Sequence, residues 1–364
     1  MASSSPPADM SLAARRERHG RVSSALRALS DREVRELLST PSPFETSIGG
    51  ATTALEVDGL PVFVKRVPLT DLELLADNTR STANLFDVPT WAHYGVGSVG
   101  AGAWRELAAH VLTTDWVLTE ECENFVLLHH WRLVPTAPPT PMTPKERAAI
   151  ARAAHFWHDH PGIRARFEAL ATSSADLVLF LEHIPRNLAT WLGEQALEGD
   201  AQADDACTLA DRDLRAVAAF SAARGFQHFD AHFRNILTDG HRLYLTDFGL
   251  ALTAHFDLTP AECRFLAEHI DHDTAYAAAA LVNWIVSTLS ETGRRGLTPF
   301  LRNGYVKWAA EGNDVPGLPP GAAALVRRYA EIAVVVNDFY YELHTHSRKV
   351  PFPVDLITKA CASL

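Results

Sequence analysis

Positive charge, paired cysteines and long apolar runs are all scarce in this chain of 364 residues. Lys and Arg number 33 against 44 Asp and Glu, a formal net charge of −11 at pH 7. Proteins that hold DNA or RNA through its phosphates carry a basic face, so nucleic acid is set aside as a partner. The four cysteines, Cys122, Cys207, Cys263 and Cys361, lie far apart and form no C-x-x-C pair. That argues against a thiolate zinc site and fits a reducing, cytoplasmic setting. The longest apolar run, 275–289, is too short to span a bilayer and carries Asn283, so a buried helix is expected there and no membrane partner. Residues 1–10, "MASSSPPADM", lack the apolar stretch of a secretory signal. The Arg-rich "LAARRERHGR" at 12–21 shares traits with a transit peptide, but the acidic residues after it favour a tail leading into a surface helix. There is no internal repeat.

What is present is an ordinary globular composition, 47% hydrophobic and 21% charged, in a chain long enough for two unequal lobes. Residues up to about 12 read as disordered, and 24–39 as one or two short amphipathic helices with Asp31 a possible N-cap. "ALEV" and "PVFVKRV" flank Asp58-Gly59, a strong hairpin signal. A looser, glycine-dotted stretch, "YGVGSVGAG", follows, then a helix from Ala103 with Trp104, Leu107 and Val111 near one face. "NFVLLHHWRLV" and "LVLFLEHI" read as strands, separated by a proline-rich linker and a helix opened by Thr143 and Pro144 with Glu146 in its first turn. "EGDAQADDA" reads as an acidic loop, and the next stretch as a helix that ends at Gly225. A second hairpin turns at Asp239-Gly240, and everything after Leu250 looks helical apart from "EGNDVPGLPPG". The fold class is therefore α+β: a small antiparallel β-rich part, then a mainly helical one.

The chemistry concentrates at 228–249, "HFDAHFRNILTDGHRLYLTDFG". Asp230 and Asn235 share one loop, and the hairpin brings Asp247 back to the same edge. Two carboxylates and an amide oxygen are hard ligands that suit Mg²⁺, which in turn implies phosphates. Gly249 is expected to permit a backbone turn that other residues resist. The bland readings are turn-forming for Asp230 and Asn235, a helix cap for Asp247 and a solvated edge lysine for Lys65. Their joint spacing weighs against these. His155, His158 and His160 lack the glutamate of H-E-x-x-H and read as a solvated helix end, and at most one of His129 and His130 can face a core.

"HFDAHFRN" with "DFG" resembles the catalytic and metal-binding loops of the protein-kinase-like superfamily, closest in style to the aminoglycoside and choline phosphotransferases. The resemblance covers about residues 44–290. It implies a bilobal fold, with a nucleotide-binding lobe over 41–184 and a helical lobe over 185–364; the residues themselves add an N-terminal tail and helical extension over 1–40 and a proline-bounded helical insert at about 136–172. It implies ATP and Mg²⁺ as cofactors. Asp230 would orient or deprotonate the acceptor hydroxyl, Asn235 and Asp247 would hold the metal, and Lys65 would bind the nucleotide phosphates. Glu106 would pair with Lys65, in preference to Glu73. "SIGGATT" would cover the phosphates through Ser47, Gly49, Gly50 and Ala51, although it departs from G-x-G-x-x-G. Backbone groups of Glu182 and Ile184 would meet the adenine, with Leu181 behind it. His232 would fasten the loop. Phe229 stands where protein kinases place an arginine that anchors a phosphorylated activation loop, and no A-P-E follows "DFG". The implied activity is phosphoryl transfer to a hydroxyl of a small molecule, or to Ser/Thr of a dedicated peptide or protein, as in the kinase-like components of lanthipeptide biosynthesis with their partner proteins. A nucleotide-binding scaffold without transfer, and AMP transfer to a protein, are the alternatives.

Overall fold

Alternating apolar residues on two central strands divide the β-rich part into two faces, and different helices cover each. The computed structural model describes residues 9–39, 45–47, 50–95, 97–136 and 141–362. The chain opens with α1 (Leu12–Ala28) and α2 (Asp31–Leu38). The strands β1 (Glu45–Ser47), β2 (Gly50–Val57) and β3 (Leu60–Leu69) follow, then the short α3 (Asp71–Leu74) and α4 (Ala103–Leu118). β4 (Leu128–Pro135), α5 (Pro144–Phe156), α6 (Pro161–Ala171) and β5 (Ala175–Glu182) complete this part. The five strands form one antiparallel sheet in the order β1-β2-β3-β5-β4. Asp58 and Gly59 both take positive φ, 51° and 72°, as a two-residue hairpin matched to the strand twist requires.

One sheet face carries Val62, Val64, Val178 and Phe180, buried against Val22 and Leu26 of α1 and Val34 and Leu38 of α2. The other carries Val67, Leu69, Leu177, Leu179 and Leu181, buried against Ala103, Trp104 and Leu107 of α4. Strand periodicity of two puts Lys65 on this second face. Each fully buried aliphatic contributes about 1.5–3 kcal/mol, so both faces are firmly specified. The far side of α4, with Ala109, Trp116 and Val117, joins a much larger core of helices.

That larger part holds β6 (Arg186–Asn187), α7 (Leu188–Glu198), α8 (Asp200–Ala223), β7 (Phe226–Gln227), β8 (Ile236–Thr238), β9 (Leu243–Leu245) and β10 (Leu252–Thr253). α9 (Pro260–Glu268), α10 (His272–Thr288), α11 (Pro299–Ala310), α12 (Pro320–Thr345) and α13 (Val354–Cys361) end it. Leu214 and Val217 of α8, Leu281 and Ile285 of α10 and Val326 and Ala333 of α12 pack together at its centre. The whole is mixed α+β, a small antiparallel sheet with a mostly helical remainder.

Four local expectations change. The helical extension begins at Leu12 rather than Ser24, and residues 1–8 lie outside the described set. Ser30, not Asp31, caps α2, in a capping box with Glu33. "EGDAQADDA" is no loop from Asp200 on: it forms the first turns of α8, burying Ala203 and Ala206. Its Asp204 accepts the N–H groups of Gly321 (2.9 Å) and Ala322 (2.7 Å) at the start of α12, where a negative charge meets the positive helix end. After Leu250, β10 pairs with β7, so that half is not wholly helical.

The insert, α5 and α6, lies between β4 and β5 in sequence, but its buried apolar residues belong to a cluster separate from both sheet faces. Trp157 and Ile163 bury against Val88, Ala92 and Val99. Trp157 Nε1 donates to Gly97 O (3.1 Å) and Arg166 Nε to Val99 O (3.1 Å), so the insert grips the glycine-dotted segment.

Candidate functional site

Lys65 is 4% exposed on β3, paired in register with Thr52 and Leu179. An isolated ammonium there would be very costly. It is held instead between two carboxylates, Glu106 Oε1 of α4 at 2.6 Å and Asp247 Oδ1 at 2.8 Å. Burial alone would discharge Lys65, but the two carboxylates hold its pKa well above the ordinary lysine value. Burial would likewise raise the Asp247 carboxyl; the Lys65 ammonium overrides it and holds Asp247 down to about 2. The Asp247 side chain stays 40% exposed, facing a crevice.

Glu73, the alternative partner, works elsewhere. It forms a capping box with Thr70, and its Oε1 accepts the Ala103 N–H (2.7 Å) that opens α4. It thereby fixes the end of the helix that presents Glu106.

Asp230 faces the same crevice. Burial first, then the nearby Asp247 charge, pushes its carboxyl up to about 7. Asn235 Nδ2 donates to Asp230 O (3.1 Å) and Oδ2 (3.3 Å). Thr246 N donates to Asn235 O (3.1 Å), which joins the two loops that carry Asn235 and Asp247. Asn235 Oδ1 and Asp247 Oδ2 accept no hydrogen bond from any described group. Among the described residues no group of three or more His, Cys, Asp or Glu forms a metal cage.

Two residues missed in the sequence hold this loop. Asp273 of α10 accepts the backbone N–H groups of His228 (2.5 Å) and Phe229 (3.1 Å). His228 Nε2 donates to Thr246 O (2.9 Å) while its Nδ1 accepts the Asp230 N–H (3.3 Å). So His228 does the fastening expected of His232. The His232 ring is 4.0 Å from Asp230 and its Nδ1 has no partner; only its backbone bridges the loop. Asp273 lay beyond any motif, its one trace being an acid at the start of the apolar run. Phe229 (φ 61°) and Asp247 (φ 65°) adopt left-handed backbone, which costs about 1–3 kcal/mol each and persists only where surroundings enforce it. Gly249 does not have positive φ, so the special turn expected of it occurs two residues earlier, at Asp247. The buried Phe248 ring, packed on His110 (4.6 Å between centroids) and His228 (5.2 Å), pins that turn.

The crevice has a volume of about 470 Å³. Lys65, Glu106, Asp230, Asp247 and Gly249 line it, with Arg166 and Phe167 from α6. Gly95, Gly97, Gly100 and Gly102 form another wall. A Cβ on Gly95 would sit 3.2 Å from Asp230 Oδ1, and one on Gly100 2.8 Å from Gly249 O, so this segment presses directly on both loops. The sequence displayed these glycines, but no motif assigned them.

The remaining expected residues stand apart. Neither Glu182 nor Ile184 lines the crevice. The Glu182 N–H is bound to Leu127 O (2.8 Å), and its carboxylate forms a buried ion pair with Arg15 of α1 (2.8 Å). Ile184 packs with Val126 and Tyr244. Ser47 pairs with Gly50 at the end of the β1–β2 ladder, and Ala51 pairs with Arg66, beside Lys65. Gly49 lies outside the described residues. A larger cavity, about 640 Å³, opens on the outer side of α4 around Val111 and Trp131 and includes none of the convergent acids. No helix is long and apolar enough to cross a membrane among the described residues. No protein-family model matches the chain, and no curated protein matches it either.

Proposed function

We propose that this chain is an ATP- and Mg²⁺-dependent phosphotransferase of the protein-kinase-like type, moving the γ-phosphoryl group to a hydroxyl. The sheet with α4 would form the nucleotide lobe and the helical remainder the second lobe. The observation that carries the reading is the Lys65 ammonium held by Glu106 (2.6 Å) and Asp247 (2.8 Å) in the crevice that Asp230 faces.

In this reading Glu106 keeps Lys65 positioned to bind nucleotide phosphates. Asp230, with a pKa of about 7, accepts the proton of the incoming hydroxyl at neutral pH, and Asn235 Nδ2 fixes its orientation. The free oxygens Asp247 Oδ2 and Asn235 Oδ1 fit Mg²⁺, which favours oxygen and completes its shell with water and phosphate. Bound there, the metal would neutralise charge on phosphate oxygens. The Glu182 N–H is committed to Leu127, so it is not the base contact in this reading. Gly95, Gly97, Gly100 and Gly102 with Arg166 and Phe167 of α6 would wall the acidic end of the crevice beside Asp230 and Asp247.

The test is ATP labelled at the γ position, incubated with Mg²⁺ and hydroxylated acceptors. Transfer should fall about 10²–10⁴-fold in Asp230→Asn. Mg²⁺-dependent nucleotide binding without transfer would make the protein a scaffold, and products heavier by AMP would make it an AMP transferase.

A further inference from the structure

Asp230, Gly95 and Gly97 line two cavities at once. The first is the crevice of Lys65. The second, about 630 Å³, runs into the helical part between α10, α11 and α12. Its size lies within the range of small-molecule pockets.

Resting on the phosphotransferase reading, we propose that this second cavity is the acceptor pocket, and that Arg302 selects a small hydroxylated carboxylic acid. Arg302 lines the cavity from α11. Its Nε and Nη2 donate only to the neutral Asn303 Oδ1 (3.2 and 2.9 Å), and it forms no ion pair with any described carboxylate. Burial alone lowers its pKa from the ordinary arginine value. A half-buried guanidinium without a counter-charge in a pocket is a receptor for an anion. One such cation matches a single carboxylate. The only acid on the wall is Asp230, at the junction with the crevice, where the reacting hydroxyl belongs.

The rest of the wall suits a flat body with polar substituents. Tyr276 and Tyr340 meet edge to face, 5.6 Å between centroids. The amides of Asn283 and Asn337 bond each other reciprocally (2.7 and 2.9 Å), which leaves each with one N–H and one lone pair to offer. An acid and a cation separated by aromatic and amide surface specify a molecule with a hydroxyl near one end and a carboxylate near the other.

The experiment uses matched pairs of aromatic and alicyclic hydroxy acids and their neutral amides, such as 4-(hydroxymethyl)benzoate and 4-(hydroxymethyl)benzamide. Binding to the full chain is followed by ligand-observed NMR without nucleotide, and ADP release is followed with Mg²⁺ and ATP. The acids should bind about tenfold more tightly than their amides. Arg302→Met should abolish that preference and Arg302→Lys should restore part of it, with the nucleotide-induced thermal shift unchanged in both. Acids that bind no better than amides, or a preference that survives Arg302→Met, would overturn the assignment while leaving phosphoryl transfer intact. Acid binding that depends on Arg302 in a chain that binds no nucleotide would instead overturn the phosphotransferase reading and leave the pocket.

Discussion

The Asp273 carboxylate accepts both consecutive backbone N–H groups that precede Asp230, from His228 at 2.5 Å and from Phe229 at 3.1 Å. A side chain on α10 therefore sets the path of a loop 43 residues before it, and offsets the left-handed backbone at Phe229. Asp273→Ala leaves two buried N–H groups without acceptors. Each costs about 1–3 kcal/mol, so urea unfolding should show a loss of about 2–6 kcal/mol. Transfer should fall as well, since Asp230 loses its support.

Lys65→Met removes the cation and leaves the buried Glu106 carboxylate, with the partly exposed Asp247 near it, unpaired. Breaking a buried pair in this way costs about 3–5 kcal/mol. Calorimetry should show a lower Tm, and the additional change Glu106→Gln should recover part of it. Recovery of stability without recovery of nucleotide binding would separate the structural part of the lysine from its proposed phosphate contact.

Arg15 is fully buried and joins α1 to the sheet: it pairs with Glu182 and donates to Phe125 O (2.6 Å) and Glu123 O (2.9 Å). Arg15→Met strands the Glu182 carboxylate and should destabilise by about 3–5 kcal/mol, whereas Arg15→Met with Glu182→Leu should lie closer to wild type. A double-mutant cycle by urea denaturation measures the difference.

Gly100 has φ +63°, and a Cβ would lie 2.8 Å from the Gly249 carbonyl oxygen. Gly100→Ala should cost about 1–3 kcal/mol and displace the segment next to Asp247. Gly97, also at positive φ but with open space around it, should lose stability without that displacement. Thermal unfolding together with nucleotide titration distinguishes the two variants.

The carboxyl of Asp230 binds its proton more tightly in the folded chain, at about 7, than an ordinary aspartate does. Folded protein therefore holds more protons than unfolded protein between about pH 4 and 7, and stability falls as pH rises through that window. Asp230→Asn removes the penalty, so its stability relative to wild type should be greater at pH 8 than at pH 4. Because the proposed base is the ionised form, kcat/KM should decline below pH about 7 with a slope of one.

The convergence of Lys65, Glu106, Asp230, Asn235 and Asp247 was legible because each sits in a short motif whose strand, helix or turn context is local. The preference for Glu106 over Glu73 could be read from the room left for a helix. What could not be read is what acts across the fold. Asp273 reaches its partners only once α10 packs beneath the loop. Arg15 looked like part of a charged tail because its burial depends on α1 packing on the sheet, which brings it to Glu182 and to the carbonyls of Glu123 and Phe125. "EGDAQADDA" misled because its aspartates favour loops in isolation, while Asp204 is satisfied by the start of α12, more than a hundred residues away. The special backbone expected at Gly249 went to Asp247 because buried Phe248 fixes the turn from below.

The central claim is that Lys65 and Asp247 form one site for a nucleotide and its metal. Isothermal titration of ATP into the full chain, with and without Mg²⁺, tests it most directly. The account predicts binding that strengthens with Mg²⁺, loses that metal dependence in Asp247→Asn and disappears in Lys65→Met. Nucleotide binding that is indifferent to Mg²⁺ and to both substitutions, or no binding by the wild-type chain, would contradict it.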